Sequence, residues 1–304
     1  MRIRTLAAAL LAGGLLLTAC GKEGTPASPG GDASGTNNAT LPTYTVAQNV
    51  DLPGSPEFAK IKSSGKLTVG VKDDQPGLGL KDPTTGKFEG FDIEIARMIA
   101  AGLGVDPAKI NFTTVDSAAR EAAISNGQVD YYVGTYTITD KRKQQVSFAG
   151  PYFQAGQDLL VRADDNSITG PQSLKGKKVW PVTGSTPIQR VRDQGLTEPG
   201  NIVEFQKYSQ CVDKLSTKDV DAVTTDDAIL KGYAAQDPTA FKVVGKPFSE
   251  EPYGIGLNKD DKVLRDKMDD LLQTALDNGT WQKIYDATLG KSGAKATKPT
   301  IERY

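Results

Sequence analysis

Two ten-residue stretches, Asn126-Gly-Gln-Val-Asp-Tyr-Tyr-Val-Gly-Thr and Thr217-Lys-Asp-Val-Asp-Ala-Val-Thr-Thr-Asp, follow one plan. Each reads as a helix end, a Val-Asp pair, a short strand and a cluster of hydroxyl or carboxylate side chains. A chain that repeats such a unit builds two similar α/β lobes. In the first half, residues 66–71, 110–115 and 129–133 read as strands. Between them, residues 91–103 set Phe91, Ile95, Met98, Ile99 and Leu103 on one helical face, and Ser117 can cap a helix over 118–125. In the second half, strands over 177–182, 202–205 and 220–224 alternate with helices opened by Thr186-Pro187, Gln210 and Asp226-Asp227. Junctions near 153–160 and 246–253 carry the chain across and back, so that helices over 262–278 and 281–289 rejoin the first lobe. The expected division is residues 54–154 plus 252–290 for lobe 1 and 155–251 for lobe 2. Two lobes joined twice enclose a cleft that can hinge shut on a ligand.

The ends of the chain read differently. Arg2 and Arg4 precede an apolar run over 6–17, which is too short to span a bilayer and has the layout of an export signal. Leu17-Thr-Ala-Cys20 follows, and the small residues before this cysteine resemble a bacterial lipoprotein box in which the Cys20 thiol is acylated. Residues 1–19 are thus expected to be a signal peptide. Residues 20–53 are poor in large apolar side chains and read as a flexible tether, and 291–304 as a loose tail. With Cys20 lipidated, Cys211 has no disulfide partner and reads as a small buried residue.

Composition removes most chemistry. The chain has no histidine, which excludes histidine-activated nucleophiles, imidazole metal sites and the usual general base. Lys and Arg number 36 against 37 Asp and Glu; loss of Arg2 and Arg4 leaves 34 against 37, a net of −3. That balance offers nothing to neutralise nucleic-acid phosphates. Residues 170–178 miss the phosphate-loop spacing, and Gly77-Leu-Gly continues to Asp82 where the dinucleotide fingerprint needs glycine. The adjacent pairs Asp73-Asp74, Asp164-Asp165 and Asp260-Asp261 read as solvated loops. No cofactor, metal or catalytic residue is expected.

What remains is the stretch Gly134-Thr-Tyr-Thr-Ile-Thr-Asp-Lys-Arg-Lys after the third strand. α/β chains place ligands just past such strand ends. Thr135, Thr137 and Thr139 bring hydroxyls, and Arg142 a planar fork suited to a carboxylate. In the other lobe Thr186 stands at a helix start, which favours anions, and Asp226 supplies a carboxylate. An anion site facing one acid describes an α-amino acid zwitterion. Asp226 also suits an N-cap, one oxygen capping and one facing the ligand.

The runs Phe88-Glu-Gly-Phe-Asp-Ile-Glu-Ile-Ala, Phe148-Ala-Gly-Pro-Tyr-Phe, Leu174-Lys-Gly-Lys-Lys-Val, Gly184-Ser-Thr and Val220-Asp-Ala-Val-Thr-Thr-Asp-Asp, with the Gly134 stretch, are similar to the polar amino acid-binding family of ABC-importer solute-binding proteins. The similarity spans about 66–289. Gln75-Pro-Gly-Leu-Gly, Asp116-Ser-Ala-Ala-Arg and the Thr-Tyr-Thr form most resemble glutamate-binding lipoproteins of Gram-positive bacteria.

This resemblance implies a two-lobed periplasmic-binding-protein-like α/β fold and a monomer held by its lipid at the outer face of the cytoplasmic membrane. The protein would perform no chemistry, and would deliver L-glutamate, or aspartate, to ABC permease subunits. Arg142, Thr137 and the Thr186 N–H would take the α-carboxylate, and Thr135 and Asp226 the α-ammonium. Lys72 and Arg120, with Ser117, would take the side-chain carboxylate. Without the resemblance, Lys72 reads as a solvated strand end and Arg120 as an exposed helical arginine. The loop over 73–80 lacks the family's aromatic cover, and Leu78 is the candidate replacement. Glutamine or asparagine is the alternative ligand. A cleft enzyme on the same fold or a sensing ectodomain is less favoured, since neither an added catalytic domain nor a membrane span follows the lobes.

Overall fold

The structure, a computed structural model, describes residues 39–292 and 296–304. The signal peptide, Cys20 and the tether as far as residue 38 lie outside the described residues.

Two sheets organise the chain. The first runs Ile110–Thr114, Leu67–Val71, Tyr131–Tyr132, Glu251–Leu257, Ser147–Ala155. Its first three strands are parallel, and Glu251–Leu257 is antiparallel to both neighbours. Val69 and Val71 are fully buried, as a strand flanked on both sides by parallel partners requires. The second sheet runs Phe241–Val243, Gln157–Arg162, Ala222–Asp226, Val179–Trp180. There Ala222–Asp226 is parallel to Val179–Trp180 and antiparallel to Gln157–Arg162.

The crossings between sheets are tighter than turn-rich junctions. Only Gly156 separates Ser147–Ala155 in one sheet from Gln157–Arg162 in the other. The return strand begins at Glu251 beside it. A Cβ on Gly156 would stand 2.6 Å from the Ser249 carbonyl oxygen, so the two crossing segments touch backbone to backbone. The Gln157 N–H donates to Ser249 Oγ at 2.9 Å. Side-by-side single crossings are mechanically a hinge.

Several local expectations change. Phe91–Gly102 is buried around nearly its whole circumference, Asp92 and Glu94 included, and not along one face. Residues 202–205 form no strand, only isolated bridges at Ile202 and Phe205. The loop over 73–86 begins a small antiparallel sheet of Asp74–Gln75, Gly79–Lys81 and Phe88–Glu89. Ser117 caps nothing: it opens a short 3-10 turn, and the helix proper is Arg120–Ser125. Sequence reading also missed the helix Pro56–Ser64, although Ser55, Pro56 and Gly65 mark its two ends. The Ser55 hydroxyl accepts the Phe58 N–H, and Gly65 closes the helix at φ 63°.

Both expected loose segments have anchored parts. Tyr44 donates to Glu94 at 2.7 Å, the Ala47 N–H to the Ala101 carbonyl at 2.8 Å, and Val50 and Leu52 pack on the core. Few apolar side chains suffice when each meets a prepared surface. At the other end Tyr304 accepts the Phe148 N–H at 2.8 Å, and its ring lies 4.4 Å from Lys143 Nζ and 4.3 Å from the Arg265 guanidinium. The Glu302 N–H donates to Gly150. The tail thus braces the turn Asp140–Lys143, which carries Arg142. Tyr304→Ala is expected to cost about 1 kcal/mol from one hydrogen bond and half-exposed cation–π contacts. Urea unfolding of the full chain measures it, and an unchanged midpoint refutes the brace.

Candidate functional site

The site grows from one strained residue. Thr135, directly after the strand Tyr131–Tyr132 and Gly134, has φ 47°, in the left-handed region that a β-branched side chain resists. Such strain costs about 1–3 kcal/mol and persists only where neighbours impose it. Here the Thr135 N–H donates to Asp92 Oδ2 at 3.0 Å, its carbonyl accepts Arg120 at 3.2 Å, and its hydroxyl meets the Gln75 amide at 3.1 Å. Asp92 is fully buried and also accepts the Tyr152 hydroxyl at 2.9 Å. Burial pushes its carboxyl up to about 7, partly offset by these two donors. Asp92 therefore fixes the loop that presents the hydroxyls.

The next residue, Tyr136, separates two cations. Its ring centroid lies 4.4 Å from the Arg120 guanidinium and 4.9 Å from that of Arg142. Arg120 donates to the carbonyls of Ser117 at 3.0 Å and Gly184 at 3.3 Å; Arg142 donates to those of Thr137 at 2.7 Å and Gly184 at 3.0 Å. Both guanidiniums thus converge from one lobe on a single carbonyl of the other. The lobes meet closely there, because a Cβ on Gly184 would stand 2.6 Å from Ala118 Cα. Burial, then Arg120, lowers the Arg142 pKa to about 10, with Glu121 Oε1 3.3 Å from its Nε in partial compensation.

Lys72 is neither solvated nor paired. It is 2 % exposed, as is Arg120, and donates to Ser117 Oγ at 2.8 Å. Burial first and Arg120 second pull its ammonium down to about 7, against the pull of Asp74, Asp116 and Asp73. Among the described residues no carboxylate lies within ion-pair distance of Lys72 or Arg120.

From the second lobe, Thr186 begins its helix one residue after the capping Ser185. Its hydroxyl lies 3.4 Å from that of Thr137 and donates to Glu251 Oε2 at 2.6 Å. Arg190 holds the other Glu251 oxygen at 2.8 Å. Asp226 caps no backbone: Oδ2 accepts the Tyr253 hydroxyl at 2.7 Å, while Oδ1 is buried without a hydrogen-bond partner. Burial, then Glu251, pushes this carboxyl up to about 8.

Hydrogen bonds therefore link Lys72, Ser117, Arg120, Thr135, Thr137, Arg142 and Thr186 into one continuous group. The Asp226 side chain joins it through Tyr253, which bridges to Thr137 in the backbone. A cavity of about 530 Å³ opens beside Ser117, Arg142 and Thr186. Leu78, the candidate cover, is instead core of the first lobe, packed under Gly90. Sequence reading missed Asp92, Gln75, Tyr136, Tyr253 and Glu251. Only Asp92 left a signal there: an acid at the second position of a helix whose other faces are apolar.

The match to bacterial extracellular solute-binding proteins, family 3, covers residues 67–291. The chain is 38 % identical to the glutamate-binding protein GluB of Corynebacterium efficiens over 85 % of its own length and 90 % of the relative's. It is 43 % identical to a glutamine-binding protein of Geobacillus stearothermophilus over 69 % and 79 % of the two chains. Against the ABC transporter glutamine-binding protein GlnH of Bacillus subtilis the identity is 35 %, over 93 % and 96 %. Among solved structures, an ancestral arginine-binding protein bound to glutamine superposes with a TM-score of 0.68 at 38 % identity, covering 74 % of this chain and 98 % of that one. The fold is the two-lobed α/β architecture of periplasmic amino acid-binding proteins, and the chain belongs to family 3 of the bacterial extracellular solute-binding proteins.

Proposed function

We propose that this protein captures L-glutamate, with aspartate as a second ligand, by closing its lobes, and releases it to an ABC permease. One observation carries the reading: Lys72, Arg120 and Arg142 are buried together with only Glu121, among the described residues, as an ion-pair partner. An uncompensated buried charge costs several kcal/mol. A ligand with two carboxylates and one ammonium supplies the missing negative charge, and Asp226 Oδ1 awaits a donor such as the ammonium. In this assignment Arg142, Thr137 and the Thr186 N–H hold the α-carboxylate, Thr135 and Asp226 the ammonium, and Lys72, Arg120 and Ser117 the side-chain carboxylate. Glutamine is the second reading, favoured by the glutamine-binding relatives and by the lowered pKa of Lys72, since a neutral amine can accept from an amide. Residues 1–19 and Cys20 would export the chain and anchor it by lipid outside the cytoplasmic membrane.

Titration calorimetry on the soluble part tests the ligand. Glutamate is expected to bind; binding of glutamine alone would transfer the assignment to the second reading. Arg142→Ala should weaken every amino acid ligand at least about 100-fold, since it strands a buried carboxylate. Arg120→Ala should cost glutamate about 100-fold and glutamine about tenfold or less. Equal losses for both ligands would refute the division of roles.

Protonation gives an independent check. Burial and Arg120 bring the Lys72 ammonium pKa down to about 7. A ligand carboxylate beside it favours the charged form, so glutamate binding above that pH draws a proton onto Lys72. Lys72→Met should therefore remove uptake of up to about one proton per glutamate at pH 8. Calorimetry in buffers of different ionisation enthalpy reads this directly, and equal proton counts for parent and variant would count against contact between Lys72 and the ligand.

A further inference from the structure

The pair Asp73-Asp74 reads from sequence as a solvated loop, yet the structure sets it against the opposite lobe. Lys207 Nζ lies 3.0 and 2.8 Å from the two Asp73 carboxylate oxygens. The Ser209 N–H donates to Asp74 Oδ2 at 3.1 Å, and the Tyr233 hydroxyl to the Asp74 carbonyl. Beside them, Gly232 of the helix Asp227–Gln236 approaches so closely that a Cβ there would collide with the Pro76 carbonyl oxygen. None of these groups belongs to the hydrogen-bonded group around Arg142. The contacts span a loop after the strand Leu67–Val71 on one side and the starts or faces of two helices on the other.

We infer that Asp73, Asp74 and the segment facing them form a closure latch, positioning residues that set affinity for every ligand of the cleft without touching any. The inference rests on the reading that the lobes close around an amino acid. A latch stabilises only the closed form, so it slows release of any ligand held there. Asp73 and Lys207 keep side-chain exposures of 19 % and 38 %, so their ion pair is screened and modest. The backbone contacts of Asp74 and the Gly232 approach carry more, because they demand close approach of the two lobes.

Gly232→Ala separates closure from folding. Alanine is the better helix former, so the ligand-free melting temperature should hold or rise. A methyl group against the Pro76 carbonyl should meanwhile weaken glutamate and glutamine by the same factor, at least about tenfold, mainly through faster release measured by stopped flow. Lys207→Met should cost both ligands about threefold; Asp73→Asn should add a loss specific to glutamate, because the Asp73 carboxylate also raises the Lys72 ammonium. Parent-like affinity in Gly232→Ala, or a loss confined to one ligand, would overturn the latch. A parent protein that binds neither amino acid would overturn the proposed function and the latch with it; parental binding of both, unaltered by Gly232→Ala, would overturn the latch alone.

Discussion

The arrangement depends on concentrated positive charge held out of water. Lys72, Arg120 and Arg142 occupy one cleft, and two of them share the neutral carbonyl of Gly184 as acceptor. A carbonyl dipole screens a guanidinium but does not neutralise it, and the Tyr136 ring between the two cations adds only its π-face. The pKa values of Lys72 and Arg142 fall for the same two reasons in the same order, burial and then Arg120. The repulsion is tolerable because rigid groups hold each cation: Ser117 holds Lys72, and main-chain carbonyls hold the arginines.

That rigidity is built from the first lobe outward. Asp92, on a helix buried on nearly all sides, holds Thr135 at a positive φ, and Thr135 in turn holds Arg120 and Gln75. The second lobe adds little charge: a carbonyl, the Thr186 hydroxyl and the Asp226 carboxylate. Such asymmetry suits a hinged capture protein. In the proposed reading, the lobe that brings the cations docks the ligand while open, and the lobe that brings the acid and the helix start completes the ring on closing.

Much of the fold was legible because α/β alternation is a local signal. The strand Leu67–Val71, the helices Phe91–Gly102 and Asp227–Gln236 and the echo between the halves all follow from periodicity and caps within a few residues. The crossings were less legible. The sequence places a junction near 153–160 but does not reveal that Gly156 lets two segments touch there, a contact made with Ser249 far along the chain. Asp73-Asp74 misleads for a related reason: adjacent acids on a polar loop look solvated until a second lobe supplies Lys207 and Ser209. The burial of Lys72 and Arg120 was expected from family resemblance and not from spacing, since either side chain alone resembles any surface cation.

Specificity and affinity are separable in this architecture, for a geometric reason. The cations converge where Gly184 meets Ala118, whereas Asp74 meets Ser209 and Gly232 meets Pro76 at a distinct part of the interlobe boundary. Interactions in the first place change with the ligand, because the ligand's charges enter the sum. In the proposed reading those in the second act on affinity through closure, and the Asp73 and Asp74 carboxylates act on the ligand only through their field at Lys72. In the proposed reading, a change of ligand requires altering only how the cations are compensated, while the hinge at Gly156 and the Asp73-Asp74 contact stay as they are.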